Sequence, residues 1–186
     1  MMSNTRIVWA ALFLLAVPCI AGCTSSAEVT EADMTRAGDA LTPLKKELFQ
    51  ALTWAINEGG PERAMEVCQL RAPEITQLAS TDGAVIGRTS HRVRNPENKP
   101  EPWMEVFLNE YLADPADNEP RAVRLRSGEV GYVEPIRTKG LCLQCHGNAI
   151  DSTVQVRLHE LYPDDQATGF EEGDLRGMFW VKLPAT

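Results

Sequence analysis

The chain has little positive charge and few aromatic residues. Its 186 residues include 18 Lys and Arg against 26 Asp and Glu, for a formal net charge of -8, and 6% of them are aromatic. It contains no basic patch with interleaved aromatic side chains, which argues against nucleic acid as a partner. It also contains no nucleophile elbow, phosphate-binding loop or metal-hydrolase motif. These absences favour a binding protein over an enzyme.

The one long apolar run stands at the N-terminus. Arg6 is the only charge in residues 1–22, and an unbroken apolar stretch, 7–17, follows it. This layout is typical of an export signal, and the run is too short to span a membrane as a helix. It ends in Ile20-Ala21-Gly22-Cys23, which resembles the lipobox of bacterial lipoproteins. We therefore predict export, with a lipoprotein signal peptide over 1–22.

Lipidation of Cys23 follows from this interpretation, because a thiol directly after a small-residue cleavage site has few other uses in an oxidising compartment. Ordinary cleavage after Gly22, leaving Cys23 free, is the alternative. Residues 23–30 are predicted to form a lipidated tether through which the protein reaches the membrane. The residue after Cys23 is not Asp, which in a Gram-negative cell favours the periplasmic side of the outer membrane.

Residues 31–186 are predicted to form one domain. Apolar spacing predicts a long helix over 31–58 ended by Gly59-Gly60, and a second over 61–80 that Pro73 kinks or splits just after Arg71. Further helices are predicted over 102–113 and 154–161, and strands over 84–90, 123–126, 130–136 and 178–183. One side of the helix over 102–113 is expected to carry Trp103, Val106, Phe107 and Tyr111. The pattern indicates an α+β fold in which N-terminal helices pack on an antiparallel sheet.

The most informative motif is Cys142-Leu143-Gln144-Cys145-His146, a C-x-x-C-H run. Two thiols three positions apart can each add to a vinyl group of haem, and the adjacent His146 can bind the iron as proximal ligand. The run therefore predicts one covalent haem c attached through Cys142 and Cys145. A structural zinc site from Cys68, Cys142, Cys145 and His146 has the right ligand count, but its adjacent Cys145-His146 pair and its spacings are unfavourable.

Of the five cysteines, only Cys68 is left without a role. Cys19 leaves with the signal peptide, Cys23 is assigned to lipid, and two belong to the C-x-x-C-H run. A disulfide from Cys68 to any of the assigned thiols would destroy the haem site or block lipidation. Helical spacing places Cys68 on the inward face of its helix. It is either a buried thiol that acts as a small hydrophobe or a functional group of the site.

Six segments stand in a distinctive order: Met65-Glu66-Val67-Cys68, Gly87-Arg88-Thr89-Ser90, Arg94-Asn95-Pro96-Glu97-Asn98, Cys142-Leu143-Gln144-Cys145-His146-Gly147, Tyr162-Pro163-Asp164-Asp165-Gln166-Ala167-Thr168-Gly169 and Gly173-Asp174-Leu175-Arg176-Gly177. Together they resemble the c-type haem domain with a PAS-like fold. This family is catalogued as a domain of unknown function, and it occurs alone or as the periplasmic input module of some histidine kinases. The resemblance implies a PAS-like sheet that cradles haem, with the helix cysteine, here Cys68, as the second axial ligand. His91 departs from the family pattern, which has an apolar residue there, and offers a competing imidazole.

The second axial ligand sets the redox behaviour. A thiolate favours Fe(III), so Cys68 as ligand predicts a low reduction potential, whereas an imidazole or a methionine leaves the iron more easily reduced. The alternatives to Cys68 are His91, Met65, Met178 and an open position. Arg88 and Arg94 are candidate contacts of the haem propionates, because guanidinium binds carboxylate bidentately. A solvated charged loop is the alternative role for both.

Two functions fit these features. A haem-based redox or gas sensor, or a related binding module, is favoured by the PAS-like resemblance and requires a separate signalling partner. A membrane-anchored electron-transfer cytochrome needs only an exposed haem edge, a suitable potential and a redox partner. Peroxidase chemistry would need an open sixth position and a distal acid/base group, and a Cys68 ligand would occupy the place of the peroxide. We predict the sensor or binding module and no enzymatic activity.

Overall fold

The computed structural model describes residues 28–185, so Cys23, the predicted signal peptide and most of the predicted tether lie outside the described residues. The elements in chain order are α1 Glu31–Ala79, β1 Val85–Thr89, α2 Pro102–Ala113, β2 Arg121–Arg124, β3 Val130–Arg137, α3 Leu143–His146, α4 Ser152–Leu161 and β4 Leu175–Leu183. Two short 3-10 turns, Pro96–Asn98 and Gly140–Cys142, complete the list. Within this described part, no helix is both long enough and apolar enough to cross a bilayer.

Helix α1 begins at a capping box and bends once. Thr30 Oγ1 accepts the Asp33 N–H at 3.1 Å, and the Asp33 carboxylate accepts the Thr30 N–H at 3.1 Å, which satisfies two N–H groups at the helix start. The backbone leaves helical geometry at Gly59 (φ -165°) and Gly60 (φ 72°). Since a positive φ is open mainly to glycine, the sequence-predicted boundary at Gly59-Gly60 is confirmed as the bend between two helical halves.

Of the two effects predicted for Pro73, a kink or a split of the helix, the split is wrong. Inside α1 only Gly59 and Gly60 have non-helical dihedrals, and the helix runs through Pro73 to Ala79. Proline removes one backbone hydrogen bond from a helix, but Ala72 and Ile75 beside it are buried. Tertiary packing of this face outweighs the lost hydrogen bond, as it does for most helices in proteins.

The four strands form one antiparallel sheet in the order β1-β4-β3-β2. Gly128, with φ 87°, makes the turn of the β2–β3 hairpin. Helix α1 covers one face of the sheet, where a buried cluster contains Ala37, Leu41, Leu44, Ile75, Ile86, Val130, Tyr132, Val181 and Leu183. Helix α2 packs against the other face, where the buried cluster contains Met104, Leu108, Tyr111, Val133, Leu175 and Met178. The α+β class with helices on an antiparallel sheet is confirmed.

The buried stripe of α2 differs from the expected one. Met104, Leu108 and Tyr111 form it, whereas Val106 is 57% exposed. Trp103 packs at its margin over Gly131, where an added Cβ would lie 2.9 Å from the indole. The helix is therefore rotated so that the large indole covers Gly131 on the interior strand β3, which apolar spacing alone does not predict.

Candidate functional site

The C-x-x-C-H segment lies directly after β3, at one end of the sheet. The 3-10 turn Gly140–Cys142 runs into α3, Leu143–His146, so Cys142 and Cys145 are three positions apart on a helical path and share a side. Both thiols are half-buried and free of disulfides. Gly147 closes the turn, because a Cβ there would lie 2.7 Å from the Leu143 carbonyl oxygen. The local sequence thus builds a compact turn with two available thiols.

The His146 imidazole is oriented through one of its nitrogens. Its Nδ1 lies 2.6 Å from the Ala167 carbonyl oxygen, so Nδ1 carries the hydrogen and Nε2 keeps its lone pair. Burial, followed by the charges of Arg176 and Arg94, lowers the pKa of His146 well below its usual value. The ring is therefore neutral at physiological pH and presents Nε2 as a metal ligand.

A strap, residues 165–170, holds the C-x-x-C-H segment in place. The Gly169 N–H donates to the Gly147 carbonyl and the Phe170 N–H to the His146 carbonyl, both at 2.9 Å. The same strap is tied to the loop after β1, since the Gln166 N–H donates to the Val93 carbonyl at 3.0 Å. Three segments distant in sequence are thereby fixed against each other.

Arg94 connects these three segments through its side chain. Its Nη2 donates to the Cys145 carbonyl at 2.5 Å and to the Ala167 carbonyl at 3.3 Å. Its Nε donates to the Asp165 carboxylate at 3.0 Å, and the two side chains are 13% and 9% exposed. The sequence makes Arg94 a candidate contact of a haem propionate. In the structure, its guanidinium instead forms hydrogen bonds to other residues of the chain.

Cys68 comes to this segment from the second half of α1. Its half-buried thiol interacts electrostatically with Arg88 and Arg94, and also with Cys145 and Tyr162. Burial raises the pKa of the Cys68 thiol, and the two guanidiniums oppose that increase. The structure therefore brings together Cys68 and the C-x-x-C-H segment, which lie 74 positions apart when counted to Cys142.

The other candidate ligands are placed differently. Met178 is fully buried under α2, on the sheet face away from α1. Met65 packs beside Cys145 in a cluster with Val154 and Leu158. His91 packs edge-on against Phe170 at 5.8 Å between ring centroids, and His146 packs edge-on against the same ring at 6.3 Å.

His91 shares Arg176 with His146 as an electrostatic neighbour, but it shares neither Arg88 nor Arg94 with Cys68. Burial lowers its pKa, with Arg92 and Arg176 adding to the effect and Asp174 opposing it. Its Nδ1 is buried and has no hydrogen-bond partner among residues 28–185. Cys68, not His91, shares the environment of Cys145.

Arg88 and Arg176 add two guanidiniums to the site. Arg88 lies two residues after Ile86 on β1 and so faces the α1 side of the sheet. Arg176 was missed as a site residue, although it lies in one of the six segments that carry the family resemblance. Burial, followed by the charges of Arg94 and Arg88, lowers the pKa of Arg176 to about 10.

The donor set fits the haem that the sequence predicts. Two free thiols stand at the attachment spacing and a neutral imidazole has an available Nε2. The site holds four guanidiniums: Arg94 is paired with a carboxylate, Arg92 donates to the Thr168 and Gly169 carbonyls, and Arg88 and Arg176 remain. Two carboxylates on a bound group would balance the other two cations. The zinc alternative has no such support, because no group of three or more Cys, His, Asp or Glu within residues 28–185 is arranged to hold a metal ion.

The chain is similar to a solved structure and to a protein family. The solved structure described as "Crystal structure of the cyanobacterial heme-protein Tll0287" is similar to this chain with a TM-score of 0.62 and 24% sequence identity, covering 85% of this chain and 98% of that one. No curated protein matches. A family model described as Tll0287-like matches residues 23–184. The family resemblance seen in the six segments is thereby confirmed, and the chain belongs to the Tll0287-like family.

Proposed function

We propose that the chain is an exported, lipid-anchored monohaem c-type protein that acts as a haem-based redox or gas sensor or binding module. The observation that carries this proposal is that Cys68 of α1 lies close enough to Cys145, the residue before His146, to raise the pKa of its thiol. The heme-protein description of the structural relative supports haem as the bound group. When bound, haem supplies an iron with two axial positions and two accessible oxidation states.

In this proposal, different side chains attach the haem and bind its iron. Cys142 and Cys145 attach it, and His146 offers Nε2 while Ala167 fixes the ring through Nδ1. Cys68 is the second axial ligand in this proposal. Arg88 and Arg94 favour its thiolate form, because both lower the pKa of the thiol against the effect of burial.

A sensing role is supported by the course of α1. The first half of this helix packs in the sheet core through Leu41 and Leu44, and its second half carries Cys68. The opposite ligand, His146, belongs to a separate segment held by the strap. Displacement of Cys68 by a small gas or by a redox change would therefore alter the contact between α1 and that segment, in a form that a signalling partner can detect. The proposed role is binding and not catalysis, since Cys68 as a ligand of the iron would occupy the position that a peroxide would need.

Electron transfer is the second candidate function. Cys142 and Cys145 are only half-buried, so a group attached to them has an edge near the surface, as exchange with a redox partner requires. Rapid reversible exchange with redox proteins, without any response to CO or NO, would favour this candidate over the sensor.

Optical spectra of protein matured with the c-type haem machinery test the proposal. We expect a covalent haem whose ferric spectrum changes in Cys68→Ser, together with a higher reduction potential, because a thiolate favours Fe(III). Met65→Leu is the matched control, since Met65 also packs beside Cys145 and its replacement should leave the spectrum unchanged. A colourless protein with stoichiometric zinc would overturn the haem assignment, and an unchanged ferric spectrum in Cys68→Ser would remove Cys68 as a ligand.

Lipid anchoring has its own test. Labelled palmitate is expected to enter the wild-type protein and not Cys23→Ala, and cell fractionation should find the wild type with the periplasmic side of a membrane. A fully soluble, unlabelled wild-type protein would leave export without lipidation as the correct interpretation of the N-terminus.

A further inference from the structure

Strand β4 contains an extra residue next to the site. Ile136 of β3 pairs with Gly177 and Arg137 pairs with Leu175, so Arg176 has no partner in the register. Leu175 and Met178 are three positions apart yet belong to the same buried cluster, whereas regular alternation would place them on opposite faces. This is a β-bulge, a device that re-aims a side chain at the end of a sheet.

Specific contacts hold the bulge in place. The Ser90 hydroxyl donates to the Arg176 carbonyl at 2.7 Å. A Cβ on Gly177 would lie 2.2 Å from the Thr89 carbonyl oxygen, so β1 approaches β4 this closely only because residue 177 is glycine. The position of Arg176 is therefore built into the sheet.

The charge around this bulge is unbalanced within the polypeptide. Arg94 has Asp165 as ion-pair partner at 3.0 Å. Arg176 donates to the Arg92 carbonyl at 3.3 Å, and neither Arg176 nor Arg88 makes an ion pair with a carboxylate of residues 28–185. Both residues are half-buried, and an anion bound to them would stabilise them, because an unpaired charge removed from water raises the free energy.

We propose that Arg88 and Arg176 bind the two carboxylates of the haem, and that Arg94 positions the attachment segment and does not bind a carboxylate. The proposal rests on the haem function above. Arg94 is held by Asp165, and Arg92 by the Thr168 and Gly169 carbonyls, which leaves two guanidiniums for two propionates. It also gives the bulge a role, which is to place the guanidinium of Arg176 near that of Arg88.

The stability of the protein with and without haem gives a sharp test, because the expected effects have opposite signs. Arg88→Gln and Arg176→Gln should each lower the unfolding temperature of the haem-loaded protein, since a carboxylate loses its partner. Each should raise that of the haem-free chain, since a repelling charge is removed. Arg94→Gln should lower both, because its hydrogen bonds to Cys145, Ala167 and Asp165 are internal.

The reduction potential is the second measurement. Positive charge near iron favours the reduced state, so Arg176→Gln should lower the potential of the loaded protein, while Arg176→Lys should keep it close to the wild-type value. Arg88→Gln is tested by unfolding alone, because Arg88 also favours the thiolate form of Cys68. Arg71→Gln, at an arginine side chain that is 57% exposed, is the control with no expected shift.

The outcomes separate this inference from the haem assignment. If no haem attaches to the wild type, the proposed function fails. If haem attaches, Arg176→Gln keeps the wild-type potential and both glutamine variants lower both unfolding temperatures, then Arg88 and Arg176 are structural and the inference is wrong. If the haem-free wild type gains stability from chloride and the loaded protein does so equally, the two arginines hold a small free anion and the inference is likewise wrong.

Discussion

The sheet core and the candidate haem site treat their charged side chains in opposite ways. In the core, Asp33 binds Arg124 at 3.0 Å, and Lys45 binds Glu134 at 2.6 Å. At the site, Arg88 and Arg176 have no carboxylate partner among residues 28–185, and the Nδ1 of His91 has no hydrogen-bond partner there. The core pairs these charges within the polypeptide, whereas under our proposal the site is completed by the carboxylates of a bound group. The comparison predicts that the two regions can be damaged separately.

The largest expected effect is on the site alone. Replacing both attachment cysteines, Cys142→Ser with Cys145→Ser, is expected to abolish covalent haem completely, because no thioether can form. Haem staining after denaturing electrophoresis measures this, and circular dichroism should still show one cooperative unfolding transition from the core. Cys68→Ser is the control that keeps covalent haem. Staining that persists in the double variant would contradict the attachment assignment.

The next effect is on the core alone. Leu41 is fully buried between α1 and the sheet, and Leu41→Ala is expected to lower the free energy of unfolding by about 3 kcal/mol, because it removes apolar contacts and leaves a cavity. Leu70, on the same helix and 73% exposed, is the matched control, with an expected change within about 0.5 kcal/mol. Urea unfolding measures both. Haem content should stay at the wild-type level, and its loss in Leu41→Ala would show that core and site are coupled.

The contrast also explains what the sequence predicts and what it does not. Element types follow from local patterns: the limits of α2, Pro102–Ala113, agree with the prediction, and Gly59-Gly60 marks the bend in α1. Local patterns fail where packing decides. Pro73 lies in a continuous helix because its neighbours are buried, and α2 is rotated because Trp103 covers Gly131.

The site residues also differ in whether a local sequence pattern reveals them. The C-x-x-C-H run is a local motif and is visible from the sequence, and Cys68 is found through the cysteine count and the family resemblance. Arg176 is not found, because its place in the site depends on a strand register with an extra residue. The division of labour between Arg94 and the other arginines depends on hydrogen bonds from segments far apart in sequence. Register and long-range contacts leave no periodic signal in a single chain.

A smaller effect on stability is expected at the start of α1, which belongs to the sheet core in this comparison. Thr30→Ala removes the capping hydroxyl and should lower the free energy of unfolding by about 1 kcal/mol. Thr42, whose hydroxyl bonds back to Gly38 within the helix, gives the control Thr42→Ala with little change. Thermal unfolding over a pH series measures both variants.

The pH series adds a sign to the capping prediction. Hydrogen bonds from the backbone and side chain of Thr30, with the charges of Arg124 and Arg36, hold the pKa of Asp33 below its usual value against the effect of burial. A lowered carboxyl pKa stabilises the fold above the ordinary Asp value of about 3.9, and this stabilisation is lost as the pH falls below it. The difference between wild type and Thr30→Ala should therefore shrink in acid. A difference that grows in acid would contradict the capping box.

The smallest expected effect is at His91, and it tests whether the unpartnered Nδ1 belongs to the iron. His91→Phe keeps an aromatic ring against Phe170 and removes both nitrogens, including the one that is buried without a partner. If Cys68 is the second ligand, the ferric spectrum should not change, and stability should stay the same or rise slightly, since an unsatisfied buried nitrogen is unfavourable. Cys68→Ser in the same measurement supplies the positive control. A spectrum that changes in His91→Phe and not in Cys68→Ser would exchange the roles of the two residues, because the ring nitrogen that has no partner in the polypeptide would then have the iron as its partner.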